Sequence, residues 1–293
     1  MTVQGFSART LALTGADHGA DHDALLHIAR LANDMAGLYF PPQKYPMLRA
    51  RLGKRLRQLH LPDLVTYCRL LNEPGGRAEL HQLIGLLTTH VSQFFREPHH
   101  FDRLKHQILP PLLRAATAGK RLRLWSAGCA AGQEAFSLAM VILDLLPDAA
   151  CYDIRILATD IDTAILARAD GRFYSVAAAA TIPAPYRARF ARERGQGIEL
   201  SPDLARLVRF RSHNLHSPWQ MRAQFEVIMC RNVLIYFDQP TCETVLDRFA
   251  KSLMPGGHLM LGHSERLGGP AATRLCPDGI ATWRLPATGA EIR

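Results

Sequence analysis

A run of small residues, Gly128-Cys129-Ala130-Ala131-Gly132, lies between an apolar stretch (Leu122, Leu124, Trp125) and a helix-spaced segment. In that segment, from Glu134, the apolar positions Phe136, Leu138, Ala139, Ile142, Leu143 and Leu146 keep helical period until Pro147. Small residues let a ligand approach the backbone, and the free amides at a helix start attract electron-rich groups. A second apolar run, Ile154 to Thr159, ends in Asp160-Ile161-Asp162. An acid that closes the second strand of such a unit accepts hydrogen bonds from ribose hydroxyls. Asp162 before Thr163 also suits the cap of a helix beginning near Ala164. With Asp160 on a ligand and Asp162 on the cap, both readings hold, and the pair points to a nucleoside-type cofactor. The loop is not Gly-x-Gly-x-x-Gly, and alone it is also compatible with a simple tight turn.

Other chemistry-bearing residues fall at element ends. Phe225 to Cys230 is a near-continuous apolar strand of the kind buried on both faces, and Arg231-Asn232-Val233-Leu234-Ile235-Tyr236-Phe237-Asp238 follows it. Polar groups just past the carboxyl end of a central parallel strand line the ligand crevice of open α/β sheets. Arg96 stands directly after Phe94-Phe95, a pair suited to core or lid packing. The six cysteines lack CxxC spacing, and the histidines, His99-His100 included, form no HExxH pattern. No metal site and no disulfide framework is therefore expected, which fits a reducing cytosol.

Elements that position these groups emerge from the periodicity. Residues 1–22 read as a mobile lead-in, and helical patterns from Asp23 onward make residues 23–90 a small all-α domain. Residues 91–120 supply a linker and a leading helix over Phe101 to Ala116. Residues 121–293 form an α/β domain, with an antiparallel excursion within Val176 to Arg206 and a final hairpin around Pro277-Asp278-Gly279. An antiparallel hairpin finishing a parallel sheet fits a Rossmann-like methyltransferase better than a dehydrogenase, by analogy of fold.

The chain carries a formal net charge of +9, which favours an acidic partner: nucleic acid, anionic membrane or acidic protein. Within the helical domain, Leu48, Leu52, Leu56 and Leu59 make an apolar stripe, while Lys44, Arg49, Arg51, Lys54, Arg55 and Arg57 contribute cations with no acid among them. A solvated face usually mixes signs, so this one reads as a docking surface. No apolar run approaches the ~20 residues of a membrane span, and direct membrane insertion is not expected.

Taken together, TTHVSQFFREPHHF at 88–101, LWSAGCAAGQEAFSLAM at 124–140, ATDIDTAIL at 158–166, HNL at 213–215, CRNVLIYFD at 230–238 and MPGGHLMLGHSE at 254–265 resemble the CheR family of chemotaxis-receptor glutamate methyltransferases. These motifs occur in family order over most of residues 25–285. The resemblance implies a Rossmann-like S-adenosylmethionine-dependent methyltransferase sheet, a small all-α N-terminal domain and a small inserted β subdomain at roughly 190–212. It implies O-methylation of glutamate side chains on the cytoplasmic helices of chemoreceptors, giving the methyl ester and S-adenosylhomocysteine. Carried over position by position, the cofactor contacts are His90, Ser92, Arg96, Glu134, Asp160, Asn214, Leu215, Arg231 and Asn232, with Arg96 and Tyr236 nearest the methyl group. Arg49, Arg51, Lys54, Arg55 and Arg57 become the docking face for acidic receptor helices.

The family usually has Asn at His90, Thr at Ser92 and Gly-Glu-Glu at Gly132-Gln133-Glu134, so cofactor contacts change there in size or charge. The section around Arg194 to Ile198 is short beside relatives that recognise a tethering peptide, and independence from a receptor-tail pentapeptide is expected. Rival readings are a non-catalytic module that binds the cofactor or its product, and a methyltransferase on another acidic substrate. A nucleic-acid methyltransferase is disfavoured, because Arg231-Asn232-Val233-Leu234 stands where an Asn-Pro-Pro-Tyr loop would be.

Overall fold

The computed structural model describes residues 17–221 and 223–287. Leu25, Ile28 and Ala32 recur at helical spacing and are the buried side of the first helix, α1 (Asp17–Ala36). Pro41-Pro42 ends the following extended segment, and α2 (Tyr45–Leu59) buries Leu48 and Leu52. Next come α3 (Leu64–Asn72), capped by the Asp63 carboxylate accepting from Thr66 N–H at 2.7 Å, and α4 (Arg77–Leu87). Their shared core centres on Tyr67, Leu83 and Leu87, and Ile161 and Tyr236 of the α/β part pack against it.

The lead-in expected over residues 1–22 overlaps α1. Residues before 17 lie outside the described residues, but Asp21, in the second turn of α1, pairs with Arg49 of α2. That cross-helix contact extends the helix upstream of the point where apolar period begins.

Helix α5 (Pro98–Arg103), a π turn over Leu104–Ile108 and α6 (Leu109–Thr117) run on from one another, three residues ahead of the expected start at Phe101. The wide turn falls just before Pro110 and Pro111, which have no N–H to give to a regular ladder.

The α/β part follows as β1 (Leu122–Ala127), α7 (Gln133–Leu145), β2 (Ile154–Asp160) and α8 (Thr163–Asp170). It continues through β3 (Phe173–Ser175), α9 (Val176–Ala179), α10 (Ala184–Phe190), β4 (Ala191–Arg194), β5 (Gly197–Leu200), α11 (Pro202–Leu207) and β6 (Val208–Ser212). The last elements are β7 (Phe225–Cys230), α12 (Gln239–Ser252), β8 (Leu253–Leu261), β9 (Cys276–Pro277) and β10 (Thr282–Arg284). The main sheet has the order β6-β2-β1-β7-β8-β10-β9. Strands β6 through β8 are parallel, while β10 runs antiparallel to β8 and β9 antiparallel to β10.

Chain order reverses between β1 and β7, so the crevice belongs at the carboxyl ends of β1, β2 and β7. Trp125 locks these strands from beneath, packing on Phe225 and Phe249 and donating its indole N–H to Thr159 Oγ1 at 2.9 Å.

The small β subdomain is the three-stranded sheet β3-β5-β4, spanning residues 173–200 rather than roughly 190–212. Phe173-Tyr174-Ser175 is too short for period to reveal a strand, and Val208–Ser212 joins the main sheet instead, in register with Ile156–Asp160.

Candidate active site

The glycines of the 128–132 loop answer steric demands. Gly128 sits at φ 75°, where an added Cβ would lie 2.3 Å from Val233 Cγ2. Gly132 sits at φ 84°, with Ala169 Cβ and Phe210 Cζ each 3.0 Å from such an atom. Between them Ala130 also has a positive φ of 48°, and its N–H donates to Asp160 Oδ2 at 2.9 Å. Asp160 Oδ1 accepts from Asp162 N–H at 3.1 Å, and Asp162 accepts from Ala164 N–H at 2.8 Å as the cap of α8. Asp162 takes the capping task expected of it, and Asp160 ties the loop to β2 beside the cavity.

The opposite wall is organised by Arg231, whose side chain is only 2% exposed. Its guanidinium pairs with Glu134 at 3.1 Å and Glu97 at 3.2 Å, and also donates to the Arg96 carbonyl. Glu134 accepts a further bond from Ser126 Oγ at 2.7 Å. Burial raises the Glu134 carboxyl above its usual range, while Arg231 and Ser126 act against that rise. At Glu97 burial also pushes upward, but hydrogen bonds from His263 and the Arg231 charge outweigh it and hold the group down at about 2.

Arg96 is fixed between two strained neighbours, Phe95 at φ 52° and Glu97 at φ 54°. Phe95 N–H donates to Ser137 Oγ at 3.0 Å, and the Glu97 carboxylate is pinned by Arg231 and by His263 Nδ1 at 2.9 Å. Such backbone strain gathers where surroundings dictate one geometry. The Arg96 guanidinium donates to Val91 O at 3.1 Å and, among the described residues, pairs with no carboxylate.

The helical part closes the site. His90 Nε2 lies 3.1 Å from Thr88 Oγ1 and 3.7 Å from both Asp160 and Asp162. Asn214 Nδ2 donates to Met35 O at 2.6 Å and its Oδ1 accepts from His216 N–H at 3.0 Å. Leu38 forms a bridge with Phe237, Tyr39 N–H donates to Tyr236 O at 2.8 Å, and the Tyr236 hydroxyl is 3.5 Å from Thr89 O.

One cavity is bordered by His90, Ser92, Arg96, Glu134, Asp160, Asn214, Leu215, Arg231, Asn232 and Tyr236 together. The expected cofactor and methyl-proximal residues therefore share one enclosure. Ala36, Leu38, Thr88 and Thr89 of the helical part complete it. Within that set Arg231 and Glu134 serve each other, and the Asn214 amide N–H serves Met35. Asn232 Oδ1 and His213 Nε2, both on lining residues, are buried without a hydrogen-bond partner, which suits a ligand that brings its own donors and acceptors. The Cys129 thiol also borders the cavity, but burial pushes it well above its ordinary value, so it stays protonated and is no nucleophile.

Glu97 and Ser126 were not singled out from sequence. Glu97 stood inside the 88–101 motif, yet its pairing with a residue 134 positions away has no local signature. Glu97, His99 and His100 bring possible ligand atoms within 4.8 Å of one another, but the Glu97 carboxylate already pairs with Arg231 and His263.

The expected docking cations separate into two kinds. Arg51 donates to Leu87 O at 2.5 Å and Thr89 Oγ1 at 2.5 Å, stitching α2 to the end of α4. Arg55 pairs twice with Glu79, at 2.8 and 2.5 Å, and Tyr67 donates to the same carboxylate at 2.7 Å. These two are structural, and the acids that α2 lacks come from other helices. Arg49 faces outward while paired with Asp21, and Lys54 and Arg57 are exposed.

Comparison with known proteins agrees with this geometry. The family model described as CheR methyltransferase, SAM binding domain matches residues 90–276, and that described as CheR methyltransferase, all-alpha domain matches residues 23–88. A probable chemotaxis protein methyltransferase of Rhizobium etli is 41% identical over 258 residues, covering 87% of this chain and 96% of its own. A chemotaxis protein methyltransferase of Klebsiella aerogenes is 36% identical over 243 residues, 81% of each chain. Chemotaxis protein methyltransferase 2 of Pseudomonas aeruginosa is 35% identical over 240 residues, covering 79% of this chain and 82% of its own. Among the described residues no helix is long and apolar enough to cross a membrane. An all-α domain set over a mostly parallel sheet, with a cavity at the strand ends and both family models matching in order, makes this chain a member of the CheR methyltransferase family, with S-adenosylmethionine as its cofactor.

Proposed function

We propose that the protein methylates glutamate side chains on the cytoplasmic helices of chemoreceptors, and that it works in the cytoplasm without a receptor-tail tether. The carrying observation is one cavity that gathers Asp160, the Glu134–Arg231 pair, Tyr236 and Arg96, which among the described residues pairs with no carboxylate. When bound there, S-adenosylmethionine supplies a methyl group on a sulfonium that a carboxylate oxygen accepts by in-line displacement. A glutamate with pKa near ~4.3 is already ionised at neutral pH, so the site needs no general base. Its residues have to hold, orient and dry the reactants.

Asp160 offers acceptor oxygens to hydroxyls, since each of its oxygens takes only one backbone bond. The buried Glu134–Arg231 pair gives a charged wall that is locally balanced. Arg96, fixed by its strained neighbours, meets the incoming carboxylate, and Tyr236 lines the same cavity with its hydroxyl beside Thr89 O. Outside the cavity, exposed Lys54 and Arg57, with Arg49, supply the cationic face for an acidic helix. The two-residue turn Gly195-Gln196 between β4 and β5 leaves a compact subdomain, which supports tether independence.

The test is transfer of tritiated methyl from the cofactor to a panel of receptor-containing membranes. Alkali-labile counts on receptor are expected. Cofactor binding without labile counts on any receptor overturns the reading.

A further inference from the structure

Behind the cavity wall, Glu265 is 6% exposed and accepts only main-chain donors. Its Oε1 takes the N–H groups of Val233 and Leu234, each at 2.8 Å. Its Oε2 takes those of Asn232 at 3.0 Å and Gly262 at 2.7 Å. One carboxylate therefore collects three consecutive amides of the segment after β7 and one from the end of β8. That segment is held in a costly shape: Asn232 has φ 60° although it carries a side chain. From Val233 the chain touches the Gly128 position of the cofactor loop, and the 3-10 turn Leu234–Tyr236 then delivers Tyr236 to the cavity.

We infer that Glu265 is a positioning residue for methyl transfer: its carboxylate fixes the Asn232–Leu234 segment, and through it sets Asn232 and Tyr236 against the reacting groups. It touches no part of the cavity itself, as the lining comprises other residues. Glu134 and Glu97 each pair with a side chain, and each Asp160 oxygen accepts one main-chain N–H, whereas each Glu265 oxygen accepts two. Charge-assisted bonds of this kind are strong, and a loop they define moves when they are lost. Misplacing a reacting group by about 1 Å costs on the order of 100-fold in rate. The inference rests on the methyl-transfer reading above.

The experiment compares wild type with Glu265→Gln, which keeps the shape but turns one acceptor into a donor facing amides. Methyl transfer to receptor membranes and S-adenosylhomocysteine affinity by calorimetry are read on the full chain. Expected is a fall in kcat of roughly 100-fold, with a much smaller loss of product-cofactor affinity through Asn232. Combined with Tyr236→Phe, the loss should be much smaller than the product of the two single losses, because both act through one segment.

Gly262→Ala supplies a second probe should the glutamine variant not fold. An added Cβ there meets Asn232 Nδ2 and Glu265 Oε2 at 2.9 Å each, disturbing the same contact from the other side. The same split between kcat and affinity is expected. Unchanged kcat in folded variants, equal loss of kcat and affinity, or additive losses with Tyr236→Phe overturns the inference. An inactive wild type on every receptor instead overturns the function on which it rests.

Discussion

At Arg96 and Tyr236, geometry and proposed chemistry meet in single side chains. Truncating Arg96 to Ala should lower kcat/KM on receptor by roughly 100-fold, and Tyr236→Phe by about tenfold, with smaller changes in S-adenosylhomocysteine binding. Full activity with unchanged cofactor affinity in both would refute their roles. Two neighbouring groups set the acid response. Glu97 is held at about 2 against an ordinary 4.5, so its contribution is complete above 4.5 and is lost as pH falls toward 2. For His100, burial first, then the charges of Arg231 and His99, lower the pKa from 6.5 to about 4. The unfolded chain thus takes up a proton near 6.5 that the folded chain refuses until 4, and stability falls across that interval. Both effects have the same sign. The melting temperature should drop steadily below pH 6.5, and His100→Leu should flatten the curve between 6.5 and 4. A slope as steep as wild type would refute the assignment. Within the cavity lining, Asp160 was singled out by its place at the end of a strand, and Glu134 only by the family resemblance. The Glu134–Arg231–Glu97 chain was not, because charge pairing across such distances in sequence is a product of the fold.

Among the elements, α2 shows how far periodicity carries. Its apolar stripe reads directly as Leu48 and Leu52 buried, yet the same face-by-face reading took Arg51 and Arg55 for free cations. Glu79 and the carbonyl of Leu87, which hold them, sit on α4. Reversing the exposed pair, Lys54→Glu with Arg57→Glu, should reduce receptor methylation several-fold at low salt and leave the melting temperature nearly unchanged. Arg55→Ala should instead destabilise the helical domain by about 1–3 kcal/mol, because it leaves the half-buried Glu79 carboxylate with only the Tyr67 hydroxyl as partner. Thermal melts beside salt-dependent methylation rates separate the two, and equal effects of both changes on stability would contradict the division. Strand assignments held where runs were long, as at Phe225–Cys230, and failed at Phe173–Ser175, where three residues cannot display a period.

For the whole molecule, the helical part is joined to the sheet by the Leu38–Phe237 bridge, the Asn214–Met35 bond and the Tyr39–Tyr236 bond. The site is thus assembled from both parts, a fact no single motif announces although their order along the chain does. The partner should meet this assembled face directly. Receptors with and without their last residues should be methylated at rates within about twofold, and a free receptor-tail pentapeptide should show no micromolar binding by calorimetry. Saturable binding in that range would refute tether independence.

Ala130 and Asn232 line the cavity and Phe95 and Glu97 flank its Arg96, all four with positive φ. Each such residue carries a penalty of about 1–2 kcal/mol that glycine would escape. This rim behaves like a drawn bow, whose tension is an inherited trade of durability for aim. Slackening it with Ala130→Gly should leave a protein that melts no lower, or even higher, yet turns over more slowly.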